Sequence, residues 1–292
     1  MNPTRDRSTR PRHRLHACAR LAAVFATALA ALLATLTLSC ATNPVTGRRE
    51  LTLVSTNQEL AIGKDGYGAV VSEYGVYDDP ALQAYVDSVG HALAKVSHLP
   101  DLAWKFTVLD DPTVNAFAMP GGYIYITRGI LAHLNSEAQL AGVLGHEIGH
   151  VTARHSARQI TQQQLAALGL GVASALSQTV QRYGQAAQSA LGLLFLKYGR
   201  DDETEADQLG VDYATRAGWD PREIPATYAM LKRVSEKSGQ RLPAFLSTHP
   251  DPGDREVRTA ELARAAAAGK TGLRIGGRAH LDRKSTRLNS SH

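Results

Sequence analysis

The chain has 292 residues, 43% of them hydrophobic and 20% charged, which is enough apolar material for one buried core of ordinary domain size. Its formal charge of +5 does not point to nucleic acid, because the excess sits at the two ends. Residues 1–39 carry six Arg against one Asp and residues 282–292 three Lys and Arg against one Asp; between them stand 23 basic and 25 acidic residues, with no surplus to grip phosphate.

Arginines from Arg5 to Arg20 precede an 18-residue apolar run, Leu21 to Leu38. That order reads as an export signal over residues 1–39, outside the fold. A run of this length is also close to a bilayer span, so an uncleaved anchor is the alternative. Ser39-Cys40-Ala41 resembles a lipobox, in which the cysteine becomes a lipidated N-terminus, although Thr37 stands where leucine is usual. The body is therefore expected on the periplasmic side of a bacterial cell envelope, lipid-anchored through Cys40, with the outer membrane the favoured location. Cys18 and Cys40 leave the body without a cysteine pair, which excludes a disulfide framework and a Cys-based zinc site.

Residues 40–54 contain the turn formers Asn43-Pro44 and Thr46-Gly47 and read as a tether. Ser55 and Thr56, with Gln58 and Glu59 three residues on, form overlapping capping boxes for a helix to about Tyr74. Asp79-Pro80 starts a second helix with an apolar stripe through Leu82, Val86, Val89 and Leu93. Trp104 to Leu109, Val114 to Met119 and Tyr123 to Thr127 are extended, the last two joined by Pro120-Gly121-Gly122, and make a small sheet. Its edge can pair main chain to main chain with an extended peptide, with Asn115, Ala116 and Phe117 as the rim; a purely structural hairpin fits the same residues.

A helix is predicted from Ser136 to Gln159, with Ser136 and Gln139 as capping box and Leu140, Val143, Leu144, Ile148 and Val151 as the apolar face. Within it Gly145-His146-Glu147-Ile148-Gly149-His150 reads H-E-x-x-H. His146 and His150, four apart, share one helix face and can share a zinc ion, while Glu147 is placed to reach a water on the metal. The motif also arises by chance, so a third ligand is required. Gln159 to Lys197 reads as one or two helices, either covering the site or packing as ordinary core, and its apolar run Leu165 to Leu176 is too short to span a bilayer. Asp201 to Asp207 opens a further helix that stops at Gly218. Acidic residues there also suit the helix dipole, which accounts for Asp201 and Asp202. Glu203 and Asp207 are again four apart: Glu203 completes His₂Glu, and Asp207 accepts a hydrogen bond from the far nitrogen of a zinc histidine. Glu205 points elsewhere.

Asp220-Pro221 begins a helix to about Ser238, and a proline-stiffened loop from Pro243 to Asp254 carries His249 before a final Ala-rich helix. His91, His98, His133, His155 and His280 read as surface residues, and Arg200 lines the site or its rim. Asp282 to His292 resembles translated sequencing adapter and is set aside, so the natural chain is expected to continue past Leu281.

Five stretches occur in order: Asn43-Pro44-Val45-Thr46-Gly47, Asn115 to Gly122, His146 to His150, Glu203 to Asp207, and Ser247-Thr248-His249-Pro250. Across residues 40–270 the chain resembles the family forty-eight metallopeptidases. The resemblance implies a gluzincin: an α+β, mainly helical, zincin-like metallopeptidase domain over residues 55–281, with a small sheet packed beside the H-E-x-x-H helix. It implies one Zn²⁺ per chain and proteolysis of unfolded or misassembled envelope proteins, with Glu147 as general base. It also brings His249 near the metal, either to donate to the oxyanion or to close the open coordination position. The rival reading is a non-catalytic zinc-containing envelope chaperone, against which stands Glu147, since a structural zinc site has no use for an unliganded glutamate.

Overall fold

Local chain chemistry sets the helix starts. In α1 (Thr56–Tyr74), Ser55 Oγ accepts the Gln58 N–H at 3.3 Å and Gln58 Oε1 accepts the Ser55 N–H at 2.8 Å, a reciprocal capping box. Behind α2 (Pro80–Ala94), Asp79 Oδ1 accepts the N–H groups of Ala81 and Leu82, and Pro80 occupies the first turn, where a missing N–H costs nothing. The computed structural model describes residues 27, 40–169, 198–237, 244–249 and 252–277. The rest of the export signal, the remainder of the Gln159–Lys197 segment, Pro243, Pro250, His280 and the adapter-like end lie outside these residues.

Strands β3 (Lys105–Leu109), β4 (Ala116–Met119) and β5 (Tyr123–Thr127) form a mixed sheet in the order β3-β5-β4, so β4 is an edge. β3 runs parallel to β5 with Lys105 opposite Tyr123, and β4 runs antiparallel with Ala116 opposite Ile126. Period-two alternation divides the sheet's faces between two cores. Phe106, Val108, Ala116, Ile124 and Ile126 join the main core with α2 and the H-E-x-x-H helix; Leu109, Phe117, Met119 and Tyr125 face Val70 of α1. A short helix, α3 (Arg128–Leu131), leads to α4 (Glu137–Thr152), the H-E-x-x-H helix, which packs on β4 and α2. The chain is therefore mainly helical α+β, and no helix among the described residues is long and apolar enough to cross a membrane.

Three expectations change here. The helix from Ser136 to Gln159 is two helices, α4 and α5 (His155–Gly169), because Arg154 takes the left-handed conformation at φ 58°. A non-glycine residue there costs about 1–3 kcal/mol unless its surroundings hold it. Glu59 does so, 2.6 Å from Arg154 Nη2, and Nη2 also donates to Val54 O at 3.0 Å. At the start of α4, Ser136 Oγ caps the Gln139 N–H as expected, but Gln139 Oε1 accepts from Asn135 N–H rather than closing the box. The segment read as a tether is a hairpin of β1 (Cys40–Thr42) and β2 (Arg49–Leu51), tied to the α4–α5 turn by buried Asn43, whose amide donates to Ala153 O at 3.3 Å and Glu50 Oε1 at 2.9 Å.

Downstream come α6 (Arg200–Arg216), a 3₁₀ turn at Pro221–Glu223, α7 (Ile224–Lys237), α8 (Ala244–Thr248) and α9 (Pro252–Ala267). Gly199 caps α6 without a side chain, its N–H donating to Asp202 Oδ2 at 3.2 Å. Among the described residues α4 and α6 share the most extensive helix–helix contact, and glycines allow it: a Cβ added at Gly210 would lie 2.9 Å from the backbone nitrogen of His146. Gly210→Val is thus expected to force the helices apart at an overpacking cost of about 1–3 kcal/mol, read as a lower urea midpoint; an unchanged midpoint refutes this.

Candidate active site and metal centre

The close approach of α4 and α6 sets Glu203 against the two motif histidines, and α8 adds His249. One ligand atom from each of His146, His150, Glu203 and His249 lies within 4.8 Å of the other three, and all four residues are buried. His146 Nε2 is 2.9 Å from His150 Nε2 and 3.3 Å from His249 Nδ1; His249 Nδ1 is 2.9 Å from Glu203 Oε1, itself 3.6 Å from His150 Nε2. Three imidazoles and a carboxylate converging on one point are a zinc-type donor set. Glu147 has 0% exposure, and neither of its carboxylate oxygens has a hydrogen-bond partner in the protein; His249 Nε2 stands 3.7 Å from Oε1. Two orphaned oxygens at that depth are costly unless a further polar group sits between them and the cluster, so the residues fit a metal with its water.

The charges follow from burial and neighbours. Burial raises the Glu147 carboxyl above the usual range, only partly opposed by His249 and His146. Burial works the same way on Glu203, but His249 and Arg255 outweigh it and hold that carboxyl low. Burial, then His146, drives His150 well below the ordinary imidazole value, which favours the neutral, ligating form. For His249 burial is overcome by Glu203 and Glu147, and its pKa is raised.

Behind the cluster, His146 Nδ1 lies 3.1 Å from Asp207 Oδ1, where the far nitrogen of a ligating histidine needs an acceptor. Asp207 is itself gripped by Arg255 (Nη2 to Oδ1 at 2.6 Å, Nε to Oδ2 at 3.0 Å), by Arg258 at 2.9 Å and by the Tyr228 hydroxyl at 2.6 Å. Arg255 Nη1 also reaches Glu203 Oε2 at 2.6 Å, so one buried guanidinium ties the two carboxylates of α6 together. Burial alone would raise Asp207; Arg255 and His146 instead hold it far below the usual carboxylate range. Tyr198 stacks on the His150 ring at 3.9 Å and Phe245 on the His249 ring at 4.4 Å.

Among the residues singled out from sequence, His146, His150, Glu147, Glu203, Asp207 and His249 come together. Asn115, Ala116 and Phe117 lie at and just before the β4 edge; the Phe117 side chain stacks on Tyr125, on the sheet face away from the main core. Cys40 begins β1, and Arg200 is exposed at the start of α6. His155 is not a surface residue: it is fully buried, with Nδ1 2.8 Å from His150 Nδ1. Nor is Glu205 a bystander, since its Oε2 is 3.1 Å from His155 Nε2. Arg255, Tyr228 and Tyr198 gave no sequence signal of their own. Charge balance could have pointed to a residue like Arg255, because Glu203 and Asp207 cannot both be buried without a cation. Gly142, Val143, Ile224, Thr227, Leu231 and Phe245 line a small, mainly apolar pocket beside His146.

A helix-borne H-E-x-x-H, a glutamate supplied by a second helix and a small mixed sheet beside them define a metallopeptidase of zincin-like fold. Residues 80–263 match peptidase family M48, and the chain belongs to that family, whose members are zinc-dependent. Similar proteins include the mitochondrial metalloendopeptidase OMA1 of Schizosaccharomyces pombe, 35% identical over 73% of this chain and 63% of its own length. The putative beta-barrel assembly-enhancing protease of Vibrio cholerae is 32% identical over 72% of this chain and 45% of its own. The beta-barrel assembly-enhancing protease of Escherichia coli is 30% identical over 74% and 46%. The chain thus spans less than two thirds of the length of each of these relatives.

Proposed function

We propose that the chain is a zinc metalloendopeptidase of the bacterial cell envelope, lipid-anchored through Cys40, that degrades unfolded or misassembled envelope proteins. The observation that carries the peptidase reading is the unpartnered, fully buried Glu147 beside the converging His146, His150 and Glu203. The envelope assignment is supported by the export-signal pattern before Cys40 and by similarity to the assembly-enhancing proteases, whereas the OMA1 relatives are mitochondrial.

In this reading His146, His150 and Glu203 are the residues that would hold one zinc ion, the histidines through the Nε2 atoms that face the cluster. Bound zinc supplies Lewis acidity toward a water and toward the peptide carbonyl. Glu147, its pKa raised by burial, accepts the water's proton on a carboxylate oxygen and returns it to the leaving amine nitrogen. Asp207 accepts from His146 Nδ1 and so keeps Nε2 free to ligate. An extended substrate pairs along the β4 edge beside Asn115, Ala116 and Phe117.

His249, in its neutral form, would occupy the remaining coordination position. Its Nδ1 lies among the ligand atoms, and the short helix that carries it is docked on the segment leading into β4, with Phe245 N–H donating to Val114 O at 3.2 Å. Withdrawal of α8 would free that coordination position together with the Val114 carbonyl just before β4. His249→Ala is therefore expected to raise the initial rate of casein cleavage; a lower rate would make His249 a transition-state donor instead.

The reading is tested by elemental analysis of the full chain together with casein cleavage, with and without chelator. One zinc per chain, and cleavage lost to the chelator and restored by Zn²⁺, are expected. A folded protein without zinc, or a zinc-loaded protein whose wild type and His249→Ala both fail to cleave, would defeat it.

A further inference from the structure

The two histidines of the motif are supported in different ways. His146 Nδ1 meets a carboxylate directly, at Asp207, whereas His150 Nδ1 meets a second imidazole. From this arrangement we infer that His155 and Glu205 form a relay that fixes the tautomer and orientation of His150, carrying carboxylate support to the metal ligand through an intervening ring. The inference rests on the zinc reading of the site.

Hydrogen-bond bookkeeping leaves one proton assignment. His150 Nε2 faces the cluster, 2.9 Å from His146 Nε2 and 3.6 Å from Glu203 Oε1, so a ligating His150 carries its proton on Nδ1. That proton is donated across 2.8 Å to His155 Nδ1, which must then be bare. The proton of neutral His155 therefore lies on Nε2, which is 3.1 Å from Glu205 Oε2. Both nitrogens of a fully buried ring are engaged, one toward the ligand and one toward the carboxylate.

The backbone is shaped for this contact. In an unbroken helix, residues five apart point about 140° away from each other, so His155 could not reach His150. The left-handed turn at Arg154 ends α4 and starts α5, and the two Nδ1 atoms meet across it. Further out, Arg158 donates to Asp202 Oδ1 at 2.6 Å and lies 3.8 Å from Glu205 Oε2 and 3.4 Å from Glu50 Oε2 of the N-terminal hairpin. Glu205, its side chain 24% exposed, is thus held between His155 and a guanidinium. His155 is on this view a positioning residue that never touches substrate.

The test measures zinc affinity by chelator competition on the full chain, alongside the melting temperature of the zinc-free protein. His155→Phe fills much the same space but cannot accept the His150 proton, and is expected to weaken zinc binding about 10–100-fold, as loss of such outer partners does. His155→Asn puts Oδ1 near the place of Nδ1 and should recover most of that loss. Glu205→Gln, at the partly exposed end of the relay, should weaken binding several-fold while leaving the zinc-free melting temperature near wild type. A ring that merely fills space predicts wild-type zinc affinity in His155→Phe, and that result overturns the relay. If His155→Phe does not fold, unchanged affinity in Glu205→Gln overturns it instead. A folded wild type that binds no zinc would remove the zinc reading and the relay with it; normal zinc binding in wild type and His155→Phe alike would remove the relay alone.

Discussion

Glu147→Gln is expected to lower casein cleavage by about 10²–10⁴-fold, the usual worth of a positioned general base, while the protein keeps its zinc and its fold. The substitution changes only the ability to take up a proton, since an amide is nearly isosteric with a carboxylate. Its effect on stability follows from the direction of the Glu147 shift. A carboxyl whose folded pKa is raised binds its proton more tightly in the folded than in the unfolded chain, so its ionisation as pH climbs past the unfolded value works against the fold. Glutamine removes that penalty in the zinc-free protein, whose melting temperature at neutral pH should be equal to wild type or higher. The determination pairs initial rates with elemental analysis and thermal unfolding. Wild-type rates in a zinc-loaded Glu147→Gln protein would eliminate the glutamate as base, and loss of zinc with unchanged fold would make Glu147 a ligand instead.

What could be read from the chain alone was whatever depends on near neighbours. The Ser55 and Asp79 caps, the alternation of Phe106, Val108, Ile124 and Ile126, and the i, i+4 pairs His146/His150 and Glu203/Asp207 are each set within a few residues; the caps and the alternation appear as predicted, and the two pairs lie on facing helices. What could not be read depends on tertiary approach. His155 carries no helical phase with His150, and only the left-handed Arg154, fixed by Glu59 some ninety-five positions away, brings the rings together. Asn43-Pro44 gave a true turn signal, but turn chemistry does not reveal that the amide of Asn43 docks on Ala153. The close pairing of α4 with α6 was encoded in Gly145, Gly149 and Gly210, whose meaning emerges only once the two helices lie side by side.

Arg255 illustrates the same limit and carries the second large effect. It sits in the Ala-rich α9 with no local pattern, yet it is 2% exposed and contacts Glu203, Asp207 and the Tyr228 hydroxyl. Replacing it by Leu would leave two buried carboxylates with Arg258, at one Asp207 oxygen, as the remaining guanidinium, and breaking a buried pair from one side costs about 3–5 kcal/mol. Arg255→Leu is therefore expected to unfold the protein or to shift its urea midpoint strongly downward, with zinc lost in parallel. Arg255→Lys should be intermediate, because a single ammonium cannot fork between Glu203 Oε2 and both oxygens of Asp207. If the damage comes from stranded charge, pairing Arg255→Leu with Asp207→Asn should restore part of the stability without restoring zinc affinity, since His146 would still lack its carboxylate. A loss below about 1 kcal/mol in Arg255→Leu would show that solvent reaches this cluster and that the guanidinium is not what allows α6 to bury its acidic face.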